Sequence, residues 1–253
     1  MATVQSIERA FIILEHLSGH PNGMQITKLA KETGLSKSTV HRLLSTLIDL
    51  KYVKQDMDTE RYTIGYRALY LSRNLLNTSS LIATAKPHFQ KLVADINETI
   101  HLCIEEHEEV VYIDKIESNQ TIHMSSRIGS RAPIYCTGVG KMILSGKTDE
   151  EVHDITSRIE FIKKTPNTIT TSEKFIEEIY QIRRQGYSLD NIENEEGIRC
   201  IAVPIYDISG EIIASFSVSG PSTRITLEWI ESELAEKLIQ TAKEISLQLG
   251  YRN

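Results

Sequence analysis

Two rhythms of apolar residues run along this 253-residue chain, the first of them helical. In SIERAFIILEHLSGHPNG, Ser6 is a candidate N-cap, Ile7, Ala10, Phe11, Leu14 and Leu17 share one face, and Gly19 and Pro21 stop the element. ITKLAKETG predicts a short helix with Thr27 as its cap, Leu29 and Ala30 inward, and Gly34 where the chain needs a left-handed turn. SKSTVHRLLSTLIDL starts from Ser36 as cap and sets Val40, Leu43, Leu44 and Leu47 at i, i+3, i+4 and i+7, a single stripe. The rhythm then shortens. Two β-rich runs, 52–55 and 61–64, flank a polar turn at Asp56 and Asp58 and predict a hairpin. Three helices followed by a hairpin outline a winged helix-turn-helix over residues 1–65.

Residues 66–80 are rich in Leu, Tyr and Ser without the glycine of a flexible coil, which predicts a linker helix. A longer helix with Pro87 inside it opens a second domain, 81–253. Strands then alternate with helices: a hairpin in THLCIEEH and EVVYIDKIES, a strand at 121–126, and helices at 139–145, 148–158 and 172–185. Three further β runs follow, GYSLDNIE, RCIAVPIYDISG and EIIASFSVSG, the last two joined at Ser209-Gly210, and a capped helix ends at Gly250. The expected fold class is α+β, a mixed antiparallel sheet with helices on its faces behind the winged helix-turn-helix.

Composition narrows the function classes. Apolar residues make up 40% and charged residues 25%, ordinary values for a folded protein, and no run is long enough to span a membrane. The start MATVQSIERA lacks the pattern of a secretory signal, so a cytoplasmic location is expected. Cys103, Cys136 and Cys200 are too far apart for a zinc knuckle or a disulfide framework, and the eight histidines form no metal-binding spacing, so neither metal nor cofactor is expected. Residues 1–65 carry eight Lys/Arg against seven Asp/Glu; with −6 for the whole chain, −7 falls on the remainder. An acidic body repels nucleic acid, so any DNA contact must come from a local face of the N-terminal part.

That face is the one opposite the Val40 stripe. Ser38, Arg42 and Ser45 lie on it, flanked by Lys37, Thr39 and His41. Arginine can grip guanine with two bonds, and Lys, Ser and Thr at a helix start suit phosphate, although a polar face is also what any solvated helix shows. In TGVGK, Gly138 and Gly140 open a helix whose first amides could hold an anion; taken alone, the pair is better explained as a plain tight turn. Ser217 and Ser219 point to one side of a strand, either into a wet seam or into a polar pocket. Cys200 has no neighbouring base to make it a nucleophile and suits a wall.

LSKSTVHRLLSTL with its hairpin, RIGSRAPIYCTGVGKMILS, and GYSLDNIENEEGIRCIAVPIYDISGEIIASFSVSGP together resemble the IclR family of bacterial transcriptional regulators, in order and over nearly the whole chain. The resemblance implies an N-terminal winged helix-turn-helix, a linker helix and a GAF-like effector-binding domain, assembled as a homodimer or homotetramer on a double-stranded DNA operator. Its effector pocket would involve Met124, Gly138, Val139, Asp190, Cys200, Ser217 and Ser219. VVYIDKIES, RIGSRAPIY, TITTSE and EEGIRCIAVP look most like repressors of pectin and hexuronate catabolism that respond to 2-keto-3-deoxygluconate. A small oxo or sugar acid is the effector this implies. The rival readings are an enzyme on the same acids using Cys200 or Asp190, and an interaction module that binds no DNA.

Overall fold

The computed structural model describes residues 4–71, 80–121 and 124–252. They form two compact units, Met1–Ser79 and Ser80–Asn253.

The first unit contains α1 (Gln5–Ser18), α2 (Ile26–Thr33), α3 (Lys37–Asp49) and the hairpin β1 (Val53–Gln55) and β2 (Tyr62–Ile64). Its core joins Ile13, Leu17, Leu29, Val40, Leu44 and Leu47 to Val53 and Tyr62. Gly34 takes the left-handed conformation that turns α2 into α3, at φ +67°. Ser36 caps α3 by accepting from the Thr39 amide, a contact worth about 1 kcal/mol. Three expectations change. Ile7 and Phe11 are 57% and 56% exposed, because α1 is apolar on more than one side and its inward arc is centred on Ile13 and Leu17. α1 begins after Val4, which places Ser6 inside its first turn, and α2 begins after Gln25, which places Thr27 inside the helix. Residues 67–71 are helical. The rest of the expected linker, 72–79, lies outside the described residues.

The second unit opens with α4 (Ser80–Ile96) and continues through β3 (Thr99–Glu106), β4 (Glu109–Ile116), β5 (Arg131–Pro133), α5 (Gly138–Ser145), α6 (Asp149–Arg158), α7 (Ser172–Gln185), β6 (Ser188–Asn191), β7 (Ile198–Tyr206) and β8 (Ile212–Pro221). A terminal helix follows: an α turn at Leu227–Trp229, a π-helical turn at Ile230–Leu234, then α8 (Ala235–Gln248). The six strands lie in the order β5-β4-β3-β8-β7-β6, every pair antiparallel.

Alternation along the strands sorts the residues into two layers. Ile100, Leu102, Ile201, Val203, Phe216 and Val218 face α4 and the terminal helix, where Phe89 and Phe216 meet with ring centroids 4.8 Å apart. Cys103 and Ala202 face the other way, towards Val139, Met142, Phe175, Ile179 and Ile182 of α5 and α7. Each fully buried Ile, Leu or Phe contributes about 1.5–3 kcal/mol. Thr137, Thr148, Thr171 and Thr226 each cap the helix that follows them, Thr148 in a reciprocal box with Glu151.

The strand expected at 121–126 does not form among the described residues. Residues 124–127 run without regular structure, and β5 takes the place beside β4. The cause is local: the Lys115 ammonium draws in the carbonyls of Met124 at 2.8 Å and Ser126 at 3.0 Å, while the Tyr112 backbone pairs with Gly129 and Ser130.

Candidate functional site

Two sites follow from this frame, one in each unit. In the first, α3 turns its apolar stripe inward and leaves Lys37, Ser38, His41, Arg42 and Ser45 exposed, with Thr39 half-buried. The Ser38 and Thr39 hydroxyls meet Ser36 Oγ at 3.0 and 2.9 Å, and Ser45 donates to the His41 carbonyl at 3.0 Å. No carboxylate of the described residues engages the Lys37 ammonium or the Arg42 guanidinium. A short cationic face with its hydroxyls gathered at the N-terminal end is thus presented outward. Beside it, Asp56 Oδ1 accepts from the Thr59 amide and hydroxyl and the Asp58 amide, which fixes the hairpin turn and holds its carboxyl below the usual range. Arg61 reaches the Asn22 carbonyl at 3.3 Å and so braces the hairpin against the α1–α2 turn, a tie that sequence reasoning missed.

The second site is a cavity of about 330 Å³ on the α5 side of the large sheet, near the small end for a ligand pocket. All seven residues singled out from the sequence for an effector, Met124, Gly138, Val139, Asp190, Cys200, Ser217 and Ser219, line it. β8 delivers Ser217 and Ser219, β7 delivers Cys200 opposite Ser219, and β6 delivers Asp190 opposite Cys200. α5 enters with its first turn. Thr137 Oγ1 accepts from the Gly140 amide and donates to the Pro133 carbonyl, which leaves the amides of Gly138 and Val139 as the open donors of a helix start. A side chain at Gly140 would put its Cβ 2.3 Å from the Ile134 carbonyl oxygen, so glycine is required there.

Asp190 sits on a tightly held loop. Its Oδ1 accepts from the amides of Glu193 at 2.7 Å and Asn194 at 3.2 Å. Between them Ile192 adopts φ +63°, a left-handed conformation costly for a β-branched residue, by about 1–3 kcal/mol. Thr165 Oγ1 holds the Ile192 carbonyl at 2.6 Å, Thr168 Oγ1 the Glu193 carbonyl at 2.7 Å, and Asn167 the Asn191 carbonyl at 3.0 Å. Behind the loop, Lys141 is wholly buried with its ammonium 2.6 Å from Glu193 Oε1 and 2.8 Å from Glu178 Oε1. Burial works against that charge, and the two carboxylates outweigh it, so Lys141 stays protonated.

His101, Tyr112, Thr137, Lys164, Asn194 and Glu195 also line the cavity and were not foreseen. For His101 a signal existed: in THLCIEE it alternates with Ile100 and Leu102, which puts it on the polar face directly opposite Ser217. The others come from loops or from strand neighbours that only the register brings near.

Burial dominates the electrostatics. It lowers the His101 pKa to about 3, with Lys115 adding to the effect, and raises that of Asp190 to about 7. It pushes the Cys136 thiol to about 12 and raises the Cys200 thiol well above its ordinary value, with Asp190 adding to the latter. A thiol held protonated beside an imidazole that burial has made a poor proton acceptor is the reverse of an activated nucleophile with its base. The cavity is furnished to recognise a polar molecule.

Comparison with known proteins gives the family of each unit. Residues 6–57 match the IclR helix-turn-helix domain and residues 73–247 match the bacterial transcriptional regulator IclR C-terminal family. The HTH-type transcriptional regulator KdgR of Escherichia coli is 38% identical, over 99% of this chain and 95% of its own length. KdgR of Dickeya chrysanthemi is 39% identical over 99% and 82%. The crystal structure of Thermotoga maritima IclR, 34% identical, superposes over 98% of this chain and all of its own with a TM-score of 0.85. These relatives are regulators and not enzymes, and the chain belongs to the IclR family of DNA-binding bacterial transcriptional regulators.

Proposed function

We propose that this protein is a cytoplasmic, ligand-responsive repressor of sugar-acid catabolism genes, and that its effector is a small oxo or sugar acid such as 2-keto-3-deoxygluconate. Two copies of α3 in a homodimer or homotetramer read a near-palindromic operator, Arg42 contacting base edges and Lys37, Ser38, Thr39, His41 and Ser45 contacting base edges or phosphate. The acid enters the cavity, its carboxylate or keto oxygen received by the Gly138 and Val139 amides and the Ser217 and Ser219 hydroxyls. Asp190 takes the sugar hydroxyls; Met124, Val139 and Cys200 form the apolar wall. Binding then shifts the assembly away from its DNA-competent arrangement.

One observation carries the effector reading: the seven residues named from separate sequence motifs converge on the same small cavity, beside open helix amides. The similarity to two KdgR regulators supports the repressor role and the acid class. The test is fluorescence anisotropy of promoter fragments titrated with the protein, with and without 2-keto-3-deoxygluconate. Release of bound DNA by that acid is expected. Undiminished binding in its presence, with release by an unrelated metabolite, overturns the effector class.

A further inference from the structure

Three hydroxyls and one imidazole stand in a line on the cavity wall. Ser126 Oγ lies 2.6 Å from His101 Nε2, His101 Nδ1 lies 3.2 Å from Ser219 Oγ, and Ser219 Oγ lies 3.4 Å from Ser217 Oγ. A neutral imidazole has one N–H and one lone pair, so only one of its ends can donate. The lengths distinguish the ends. A separation of 2.6 Å suits a hydroxyl donor, and 3.2 Å suits a ring N–H donor. These lengths favour Ser126 as the donor to Nε2 and Nδ1–H as the donor to Ser219. With its oxygen already accepting, Ser219 can turn its own proton to Ser217, to the neighbouring Cys200 sulfur or into the cavity, and Ser217 can pass the same polarity on.

We infer that His101, held as the Nδ1–H tautomer, sets the Ser217 and Ser219 hydroxyls as donors and so selects ligands that present a carboxylate or carbonyl oxygen to this wall. This rests on the cavity being the effector site. The surroundings are built to keep the tautomer. Lys115, directly opposite His101 in the β3–β4 register, grips the Met124 and Ser126 carbonyls and so holds Ser126 in place as the donor. The Tyr112 ring closes another side edge-on, its centroid 5.3 Å away. Protonation would make both ring nitrogens donors and reverse Ser126; burial and the Lys115 charge oppose it. Loss of a histidine acting only as core filler would not discriminate between ligands.

The test has two parts. Nitrogen-15 spectra of the ligand-free, full-length protein labelled at histidine report the tautomer directly. The Nδ1–H form is expected throughout the range from about pH 6 to 8, and an Nε2–H form or an imidazolium overturns the inference. Calorimetry then compares wild type with His101→Asn, His101→Gln and His101→Phe for 2-keto-3-deoxygluconate and its 2-hydroxy reduction product, melting temperatures confirming that each variant folds. Asparagine places an amide N–H near the Nδ1 position and should keep keto-acid affinity within about threefold, whereas glutamine and phenylalanine should lose roughly tenfold or more. The loss should be smaller for the hydroxy acid, which can itself donate. Equal affinities across the four proteins overturn the inference. If wild type binds neither acid, the effector class fails, and the nitrogen spectra still decide the role of His101.

Discussion

Replacing Lys141 by methionine tests whether the buried ammonium holds the ligand loop. The substitution keeps an unbranched chain of similar length and removes the charge from a side chain that is 0% exposed, leaving Glu193 buried without its cation. Glu193 Oε2 already has no partner among the described residues, so nothing there is ready to compensate. Breaking a buried pair from one side costs about 3–5 kcal/mol, against a stability of about 5–15 kcal/mol for a typical domain. Urea unfolding followed by the fluorescence of Trp229, the only tryptophan, reads the second unit. The effect should depend on pH in a defined sense. Burial already raises the Glu193 pKa above the ordinary glutamate range despite Lys141, and without the ammonium it rises further. The folded variant then binds a proton that the unfolded chain releases, so its deficit shrinks as pH falls towards the ordinary carboxylate range and grows as pH rises. Adding Glu193→Gln should restore part of the loss. A loss under about 1 kcal/mol at neutral pH, with the pH slope of wild type, refutes the reasoning.

Other outcomes follow from the same geometry. Gly140→Ala drives a Cβ into the Ile134 carbonyl and should destabilise by about 1–3 kcal/mol or more in thermal melts, whereas Gly138→Ala, whose nearest neighbour is the Asp190 amide at 3.3 Å, should fold and lose chiefly ligand affinity. Arg42→Ala should leave the melting temperature within a degree or so, because the side chain is exposed, yet weaken operator binding by about 1–3 kcal/mol in anisotropy titrations; unchanged DNA affinity counts against the assignment of α3. With its pKa raised to about 7, Asp190 is largely protonated below that value, so affinity for an anionic acid should fall as pH rises through it. Asp190→Asn should remove that dependence in calorimetric titrations, and a pH profile identical to wild type excludes the role.

The first unit was legible because its signals are local. Gly34, the Ser36 cap and the stripe of α3 each act within one or two turns, and each stands where the sequence put it. Ile7 and Phe11 misled because α1 is apolar around much of its circumference, and only tertiary contact chooses the inward arc. In the second unit the alternation of Phe216 and Val218 with Ser217 and Ser219 gave the correct faces, since period two allows no other arrangement. The strand expected at 121–126 failed for a reason that apolar alternation does not register, a lysine 9 and 11 residues upstream whose ammonium takes the Met124 and Ser126 carbonyls. His101, Tyr112 and Asn194 were missed for a related reason: their proximity is a product of register and loop closure.

The wide turn at Ile230–Leu234 has an implication for how this chain can change length. Residues at 3.6 per turn overshoot by about 40° every four positions, so the inward series Ile230, Leu234, Leu238 and Ala242 would drift off the sheet in a uniform α-helix. One turn of slower winding takes up part of that drift. Deleting a single residue there would yield a more regular spiral and a poorer lid for the hydrophobic layer, swinging Trp229 away from its neighbours or Leu238 out towards water. Regularity of an element and fitness of a domain pull in opposite directions at this one place.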